Sequence, residues 1–329
     1  MDSPYLLLLL LIPLVPLLFL LVLCFLVRPK SVKIPIKKRH VFITGGSSGI
    51  GLCIARQAAA EGARVSILAR NLAKLEEARD IIRLATGVEV GIFSADVRDA
   101  EAVARAVEEA GPVDVLVCNQ GIFTPKELEL QDISEIRLMM EVNVMGTFHM
   151  IKAALPAMKR RVKETGVPAS IALVSSQAGQ VGVYGYTAYA ASKFALRGLG
   201  EALQQEVVSD NIRVSLIFPP DTDTPGFADE HRLRPETTTL IAGSEGSAMK
   251  ADDVAKISLN GIKSGAFIVP CGFEGTMLAI ATAGLSPQPS SLGAFIEVLG
   301  AGLMRFLGLC FQWNWYSIIQ KCHAKKNKK

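Results

Sequence analysis

Short apolar segments typical of buried strands alternate with longer helical segments from His40 onward. Consecutive strands of a parallel sheet are joined by crossover helices, and such strands are apolar because both faces of the sheet are covered. The alternation therefore predicts an α/β protein with a doubly wound, seven-stranded parallel sheet. The expected strands are 40–44, 64–69, 88–97, 113–121, 170–176, 212–218 and 266–270, and the expected helices include 49–63, 71–84, 100–110 and 189–208.

The segment before the sheet is a long apolar run followed by a basic one. Residues 6–27 form an uncharged apolar run of 22 residues, long enough to cross the ~30 Å hydrocarbon core of a bilayer. Residues 28–39 carry six basic residues and no acid, which places that side in the cytosol by the positive-inside rule. A cleaved signal peptide is the alternative, but "MDSPY" lacks basic residues and no small-residue cleavage site follows the run. We therefore expect a membrane anchor at 1–27, a juxtamembrane linker at 28–39 and a globular domain at 40–270 that faces the cytosol.

The final region, 271–329, does not follow the alternation of strands and helices. Residues 277–285 are apolar, and the longer apolar segment 292–315 has Glu297 and Arg305 as its only charged residues. Two packed helices, one of them the dimer face of a homo-oligomer, would explain this pattern. Membrane contact by a hairpin or by helices in the interface would also explain it. The five lysines among the last nine residues suit a cytosolic membrane surface, so we favour membrane contact.

Charge and cysteine content narrow the classes of partner. The formal net charge is +4, and the basic residues lie beside the apolar ends of the chain and form no central stripe. This distribution favours a membrane surface and argues against nucleic acid as a partner. The spacing of the six cysteines matches no metal site, so we expect no metal and reduced thiols. The six are Cys24, Cys53, Cys118, Cys271, Cys310 and Cys322.

The segment "TGGSSGIG" follows the first predicted strand and opens the first predicted helix. Gly45, Gly49 and Gly51 allow a tight turn and let the backbone approach a pyrophosphate, whose charge the helix N-terminus stabilises. Ser47 and Ser48 add hydroxyl donors in the same loop. A glycine-rich turn between a strand and a helix predicts a dinucleotide site of the Rossmann type.

The residues after the second and third strands indicate which dinucleotide is bound. NAD sites commonly place an acid after the second strand to bind a ribose hydroxyl. This chain has Arg70 at that position and Lys74 one helical turn later. Cations suit a 2′-phosphate, so we expect the cofactor to be NADPH. Asp96, after the third strand, is expected to accept a hydrogen bond from the adenine amino group.

A tyrosine and a lysine, Tyr189 and Lys193, stand four residues apart in "TAYAASKFALRG", which on a helix places them on one face. Free tyrosine has a pKa near ~10, and an adjacent ammonium lowers that pKa by favouring the phenolate. The phenol can then give a proton to a carbonyl oxygen as hydride reaches the carbonyl carbon. A serine at the end of the fifth strand would polarise the same oxygen. Both Ser175 and Ser176 are candidates, with Ser176 favoured by its spacing from the tyrosine.

The glycine loop, the serine strand and the Tyr-x-x-x-Lys pair, in this order and spacing, resemble the short-chain dehydrogenase/reductase superfamily across the whole strand–helix region. That resemblance implies that Lys193 also binds the nicotinamide ribose and that Asn143 holds the water of a proton relay to it. It further implies that Thr224 grips the carboxamide and that Asn119 contacts the cofactor. The chain departs from the family at Cys118, where an asparagine is usual.

A narrower resemblance rests on "VSSQAGQ", "TAYAASKFALRGLGEALQQEV" and "PPDTDTPGFADE", taken with the N-terminal anchor. These segments are similar to the 3-ketosphinganine reductases of the endoplasmic reticulum membrane, which implies NADPH-dependent reduction of the C3 ketone of a long-chain base to give dihydrosphingosine. Membrane reductases acting on 3-ketoacyl-CoA or steroid ketones are the alternatives. The mixed charges of residues 221–250 favour an amine-bearing lipid over an anionic thioester. A non-catalytic nucleotide-binding scaffold would be expected to lack part of the site. In this sequence the asparagine, serine, tyrosine and lysine of the expected catalytic group are all present.

Overall fold

The structure is a computed structural model that describes residues 4–27, 30–242 and 248–326, with side chains described from residue 14 onward. Its strands are β1 (His40–Thr44), β2 (Arg64–Ala69), β3 (Gly91–Ser94), β4 (Val115–Cys118), β5 (Ala169–Val174), β6 (Ile212–Phe218), β7 (Thr222–Asp223), β8 (Met249–Lys250) and β9 (Ile268–Pro270). Seven of them form one sheet in the order β3-β2-β1-β4-β5-β6-β9, and every neighbouring pair is parallel. The predicted seven-stranded parallel sheet is confirmed.

Two features of the strands differ from the expectation. The segments 88–97 and 113–121 pair with their neighbours over fewer residues than expected, because the chain leaves the sheet after Ser94 and Cys118 to form loops at its carboxyl edge. The short strands β7 and β8 pair with each other outside the main sheet. Strands of two residues are too short to produce a periodic sequence pattern, so the sequence could not indicate them.

The helices are α1 (Pro4–Leu26), α2 (Gly49–Ala60), α3 (Leu72–Thr86), α4 (Ala100–Ala110), α5 (Ile133–Met140), α6 (Gly146–Thr165), α7 (Thr187–Val207), α8 (Pro225–Leu233), α9 (Glu236–Ala242), α10 (Ala251–Lys263), α11 (Gly272–Ala281) and α12 (Ser291–Lys326). Local capping explains where two of them begin. Asn71 accepts a hydrogen bond from the Lys74 amide ahead of α3, and Asp99 accepts from the amides of Glu101 and Ala102 ahead of α4.

Both faces of the sheet are covered by helices. Alternate residues of β1 point to opposite faces, so Phe42 packs with α4, α6 and α7 while Ile43 packs with α2, α3 and α10. Both side chains are completely buried. Burial of an apolar side chain of this size contributes about 1.5–3 kcal/mol to stability. These two apolar layers fix the sheet and therefore the loops at its carboxyl edge.

The C-terminal region forms two helices, and α11 packs against α12. The apolar segment 292–315 lies within α12, which is longer than that segment and has 36 residues. Among the residues with described side chains, α12 is long and apolar enough to cross a membrane, and Leu14–Leu26 of α1 is a shorter apolar stretch. Helices α1 and α12 are in contact at Phe19 and Phe295, whose ring centroids lie 5.9 Å apart.

A buried histidine lies at the amino-terminal edge of the sheet, at the start of β1. The His40 ring contacts Ser66 Oγ at 2.8 Å and the Pro112 carbonyl oxygen at 2.9 Å, and it is 2% exposed. Burial lowers the pKa of His40 from 6.5 to about 4, and the nearby Arg64 guanidinium also opposes protonation. His40 is therefore neutral in the folded protein at neutral pH.

We expect this histidine to make stability depend on pH. Between pH 6.5 and pH 4 the unfolded chain binds a proton that the folded chain does not, so the free energy of unfolding should fall by about 3 kcal/mol over that interval. Urea unfolding in detergent micelles at a series of pH values measures this loss. The variant His40→Gln should lack this part of the pH dependence, and an unchanged slope in the variant would contradict the assignment.

Candidate active site

The loops that follow β1, β4, β5 and β6 meet at the carboxyl edge of the sheet, where ligands bind in doubly wound folds. The loops after β4, β5 and β6, together with Ile50 of α2, border a cavity of about 1160 Å³. Its wall brings together residues that are distant in the sequence, among them Asn119, Ser176, Tyr189, Lys193 and Thr224. Five residues that were singled out from the sequence therefore share one cavity.

The glycine loop joins β1 to α2 in a conformation that side chains would obstruct. Gly45 and Gly49 have positive φ angles of 62° and 53°, which favour glycine. A Cβ atom at Gly51 would overlap the carbonyl oxygen of Gly45. Ser47 is half-buried, whereas Ser48 is exposed and makes no capping hydrogen bond to α2. A backbone this close to a helix N-terminus fits the pyrophosphate of a dinucleotide.

The loop after β4 holds the glycine loop in place. Asn119 Nδ2 donates to the carbonyl oxygens of Thr44 and Gly45, both at 3.2 Å. Gln120, which the sequence analysis did not single out, hydrogen-bonds to the Thr44 hydroxyl. Cys118 is buried in the core, and burial raises the pKa of its thiol to about 12. Because the Cys118 thiol is neutral and buried in the core, it does not disturb the hydrogen bonds that the neighbouring Asn119 makes to the glycine loop.

The predicted pair on α7 lies on one helix face, as the spacing indicated. Lys193 is 3% exposed, its Nζ donates to the Val174 carbonyl oxygen at 3.0 Å, and it lies 5.6 Å from the Tyr189 ring centroid. Burial lowers the pKa of Lys193 to about 8. Burial raises the pKa of Tyr189 to about 12, against the effect of a hydrogen bond with Ser176 and with a further rise from Asp221. The expected lowering of the Tyr189 pKa is therefore not seen, because removal of water from the phenol dominates.

The two candidate serines have different partners. Ser176 follows β5, forms the hydrogen bond with Tyr189 and accepts one from the Ala178 amide at 3.1 Å. Ser175 is 3% exposed, and its hydroxyl donates to the Lys193 carbonyl oxygen at 3.0 Å. The Ser176 hydroxyl therefore lies at the phenol of Tyr189, whereas the Ser175 hydroxyl holds α7 against β5.

The side chain of Asn143 lies in a π-helical turn, Glu141–Met145, between α5 and α6. Its Oδ1 accepts from the Ile122 amide at 2.8 Å, and its Nδ2 donates to the Ile122 carbonyl oxygen and to Ser192 Oγ, both at 2.9 Å. The carboxamide is completely buried and fixes the loop next to Lys193. In this structure Asn143 thus positions backbone beside the pair on α7.

The cations predicted for the ribose site are joined by another. Arg70 is exposed after β2. The hydrogen bonds from Arg98 lower the pKa of Asp96, and the charge of Arg70 lowers it further. Lys74 is exposed in the first turn of α3. The Asp96 carboxylate receives three hydrogen bonds of 2.7–3.1 Å from the Arg98 guanidinium. The sequence could have indicated Arg98, because it is a basic residue only two positions after Asp96 in the segment that follows the third strand.

The threonine after β7 caps α8 and borders the glycine loop. Thr224 Oγ1 accepts from the Phe227 amide at 3.1 Å. Its methyl carbon would lie 3.0 Å from a Cβ at Gly49. Thr224 therefore connects the loop after β6 with the glycine loop, which is expected to bind the pyrophosphate.

The cavity continues beneath the C-terminal helices, a feature that the sequence analysis did not foresee. Side chains of α11 and α12 line the same cavity as Tyr189. Most of them are apolar, among them Met277, Leu278, Met304, Leu307, Phe311 and Trp315, while Glu274, Arg305 and Gln312 also line it. No local pattern reveals such a contact, because residues far apart in the sequence form it. The cavity thus has a polar end at the sheet and an apolar wall from α11 and α12.

Known proteins share this fold and sequence. Residues 39–233 match the family model for short chain dehydrogenase. A solved 3-ketoacyl-(acyl-carrier-protein) reductase from Brucella melitensis, complexed with NADH, superposes with a TM-score of 0.63 at 26% identity and covers 72% of this chain and 99% of its own. A short chain dehydrogenase/reductase from Burkholderia phymatum, in complex with NAD, has a TM-score of 0.62 at 26% identity, covering 71% and 89%.

Curated relatives match over nearly the full length. A 3-dehydrosphinganine reductase of Arabidopsis thaliana is 59% identical over 94% of this chain and 92% of its own length. A 3-ketodihydrosphingosine reductase of Bos taurus is 38% identical over 92% of this chain and 91% of its own. These matches confirm the resemblance inferred from the motifs. The chain therefore belongs to the short-chain dehydrogenase family and, within it, groups with the 3-dehydrosphinganine reductases.

Proposed function

We propose that this chain is a membrane-bound, NADPH-dependent reductase that converts the C3 ketone of 3-ketosphinganine to the hydroxyl group of dihydrosphingosine. The observation that carries the proposal is the single cavity that joins Tyr189 and Ser176 to the apolar walls of α11 and α12. A long-chain ketone needs both ends of such a cavity. The names of the full-length relatives support the same substrate.

The site residues act on the ketone oxygen. The bound nicotinamide cofactor would supply the hydride, and the chain supplies the proton. The Ser176 hydroxyl and the Tyr189 phenol are hydrogen-bonded to each other, and a carbonyl oxygen that replaces this bond would accept from both. With a pKa of about 12, Tyr189 is protonated at neutral pH, which is the state that a proton donor needs before the reaction. The Lys193 ammonium then stabilises the phenolate that remains, and Asn143 keeps the adjoining loop in place.

The proposed choice of NADPH rests on the positive charge around the ribose position. Arg70 and Lys74 are exposed on the loop and helix after β2, and Arg98 lies on Asp96 next to them. A 2′-phosphate would be attracted to this group of cations, whereas the ribose of NAD offers only hydroxyl groups. Asn119, Thr224 and the glycine loop would hold the rest of the cofactor.

We also propose that the chain is held at the endoplasmic reticulum membrane with its sheet in the cytosol. Large apolar side chains are exposed on both terminal helices, including Leu21 at 59%, Phe306 at 63% and Trp313 at 77%. Lysines at 30–39 follow α1, and Lys325 and Lys326 end α12, so both helices have basic cytosolic flanks. A substrate dissolved in the bilayer would then reach the cavity along α12.

The phenol can be tested by Tyr189→Phe. We expect kcat to fall at least ~100-fold because the proton donor is lost, while NADPH affinity remains. Microsomes that contain the chain, 3-ketosphinganine and NADPH provide the assay, with dihydrosphingosine measured by mass spectrometry. Tyr316→Phe, at an exposed tyrosine of α12, is the control. Turnover retained in Tyr189→Phe would contradict the mechanism, and turnover confined to ketoacyl-CoA or steroid ketones would contradict the substrate.

The ribose pocket can be tested by Arg70→Asp. The new carboxylate repels a 2′-phosphate and can accept from a ribose hydroxyl, so the ratio of kcat/KM for NADPH to that for NADH should fall at least ~10-fold. Arg105→Asp, at an exposed position of α4, provides the control for charge reversal. An unchanged ratio in Arg70→Asp would show that the 2′-phosphate lies elsewhere.

The apolar wall can be tested by a pair of adjacent substitutions on α12. Met304 lines the cavity, whereas Leu303 is exposed. Met304→Trp should fill the channel and lower kcat/KM for the long-chain substrate at least ~10-fold more than for a short-chain analogue. Leu303→Trp should change neither value by more than ~2-fold, as surface substitutions usually do. Equal loss for both chain lengths in Met304→Trp would mean that the alkyl chain does not lie along α12.

A further inference from the structure

A group of charged residues forms part of the cavity wall beside Tyr189. The Arg234 side chain is 2% exposed and donates to both Asp221 oxygens at 2.8 and 3.0 Å. It also donates two hydrogen bonds, of 2.8 and 3.2 Å, to Glu230 Oε1. All three residues line the cavity that contains Tyr189. Two carboxylates share one guanidinium, and burial raises the pKa of Glu230. The Asp221 side chain is 32% exposed and that of Glu230 is 7% exposed, so Asp221 is the acid of this group that is open to the cavity.

Buried polar atoms without partners belong to other residues of the same cavity. Among the residues that the structure describes, the Tyr186 hydroxyl and Gln180 Oε1 have no hydrogen-bond partner, although the two residues are 7% and 5% exposed. Both residues line the cavity. The Tyr186 ring centroid is 5.8 Å from that of Tyr189, and the Arg234 guanidinium carbon is 5.8 Å from the Tyr186 ring centroid. Leaving a buried polar atom unpaired is costly, so these atoms point to a polar ligand.

The charge and the unpaired atoms together define the chemistry of that ligand. The Asp221 carboxylate has lone pairs beyond those that accept from Arg234, and a cationic group in the cavity can donate charge-assisted hydrogen bonds to them. The Tyr186 hydroxyl and Gln180 Oε1 can both accept a hydrogen bond from a cation, whereas Gln177 Nε2, a third unpaired atom of a lining residue, is a donor and takes no part in binding the cation. The position is close to the reacting phenol, because Asp221 contributes to the raised pKa of Tyr189. A ligand with a primary ammonium group near its ketone meets all three conditions.

We propose that Asp221, together with the Tyr186 hydroxyl and Gln180 Oε1, forms a subsite that binds the ammonium group adjacent to the ketone of the substrate. The proposal rests on the proposed function, because it requires an amino ketone. Arg234 and Glu230 hold the Asp221 carboxylate in place and make no contact with the ammonium. The subsite selects a 2-amino ketone and disfavours ketones that carry a phosphate or another anion. It also orients the ketone, since the ammonium and the ketone oxygen lie on adjacent carbons.

The test compares two ketones that differ in one group. The full chain in phospholipid vesicles is assayed with 3-ketosphinganine and with its des-amino analogue, in which hydrogen replaces the amine. Wild type should prefer the amine at least ~10-fold in kcat/KM, which corresponds to about 1.4 kcal/mol. Asp221→Asn should remove most of that preference, while NADPH affinity, which reports folding, stays within about twofold. Asp223→Asn, at an exposed acid that does not line the cavity, is the matched control and should keep the preference.

The outcomes separate the subsite from the reaction itself. Equal loss of activity on both ketones in Asp221→Asn, or no preference in wild type, overturns the subsite while the reductase assignment stands. Failure of wild type to reduce either ketone, with NADPH bound, overturns the proposed function instead. If Asp221→Asn does not fold, inhibition of wild type is decisive. An n-alkylamine should compete with the substrate at least ~10-fold better than the n-alkanol of equal length, and equal inhibition overturns the subsite.

Discussion

Parallel pairing of the strands is the constraint on which the remaining structure depends. All strands of the main sheet run in one direction, so the loops that leave β1, β4, β5 and β6 emerge at one edge. The crossovers turn to opposite sides of β1, which opens a crevice between the loops. That arrangement places the glycine loop, Asn119 and Ser176 at one edge of the sheet and brings Tyr189 next to Ser176. The two apolar layers that bury Phe42 and Ile43 keep the edge rigid.

Much of this arrangement could be predicted because its signals are local. Strand periodicity, the glycine loop and the four-residue spacing on α7 each reflect contacts within a short segment. The choice between Ser175 and Ser176 could not be made in the same way, because adjacent residues at a strand end point to opposite sides and the local twist decides which one meets the phenol. The burial that raises the Tyr189 pKa comes from residues distant in the sequence. The pairing of Asp96 with Arg98 depends on side-chain geometry beyond the strand end.

The cavity combines two environments that suit an amphiphile. Its end at the sheet is rich in hydrogen-bonding groups, among them Gln180, Tyr186 and Ser176, whereas its wall from α11 and α12 is mostly apolar. A molecule with a polar head and a long chain can be accommodated in one orientation only, because the reverse orientation would bury hydrocarbon against Asp221 and Arg234. Orientation of the substrate thus follows from the distribution of polarity, before any contact made by the reacting groups.

The helix α12 belongs to the catalytic cavity and to the outer surface at the same time. Met304 and Leu307 face inward, while Phe306 and Leu303 on the same turns are exposed. A rigid helix cannot move one face without the other, so whatever surrounds α12 sets the width of the channel. Two preparations with identical site residues would therefore differ in the chain lengths they accept if the medium around this helix differs. Under the proposed function, the composition of the surrounding membrane would thus act on substrate selection.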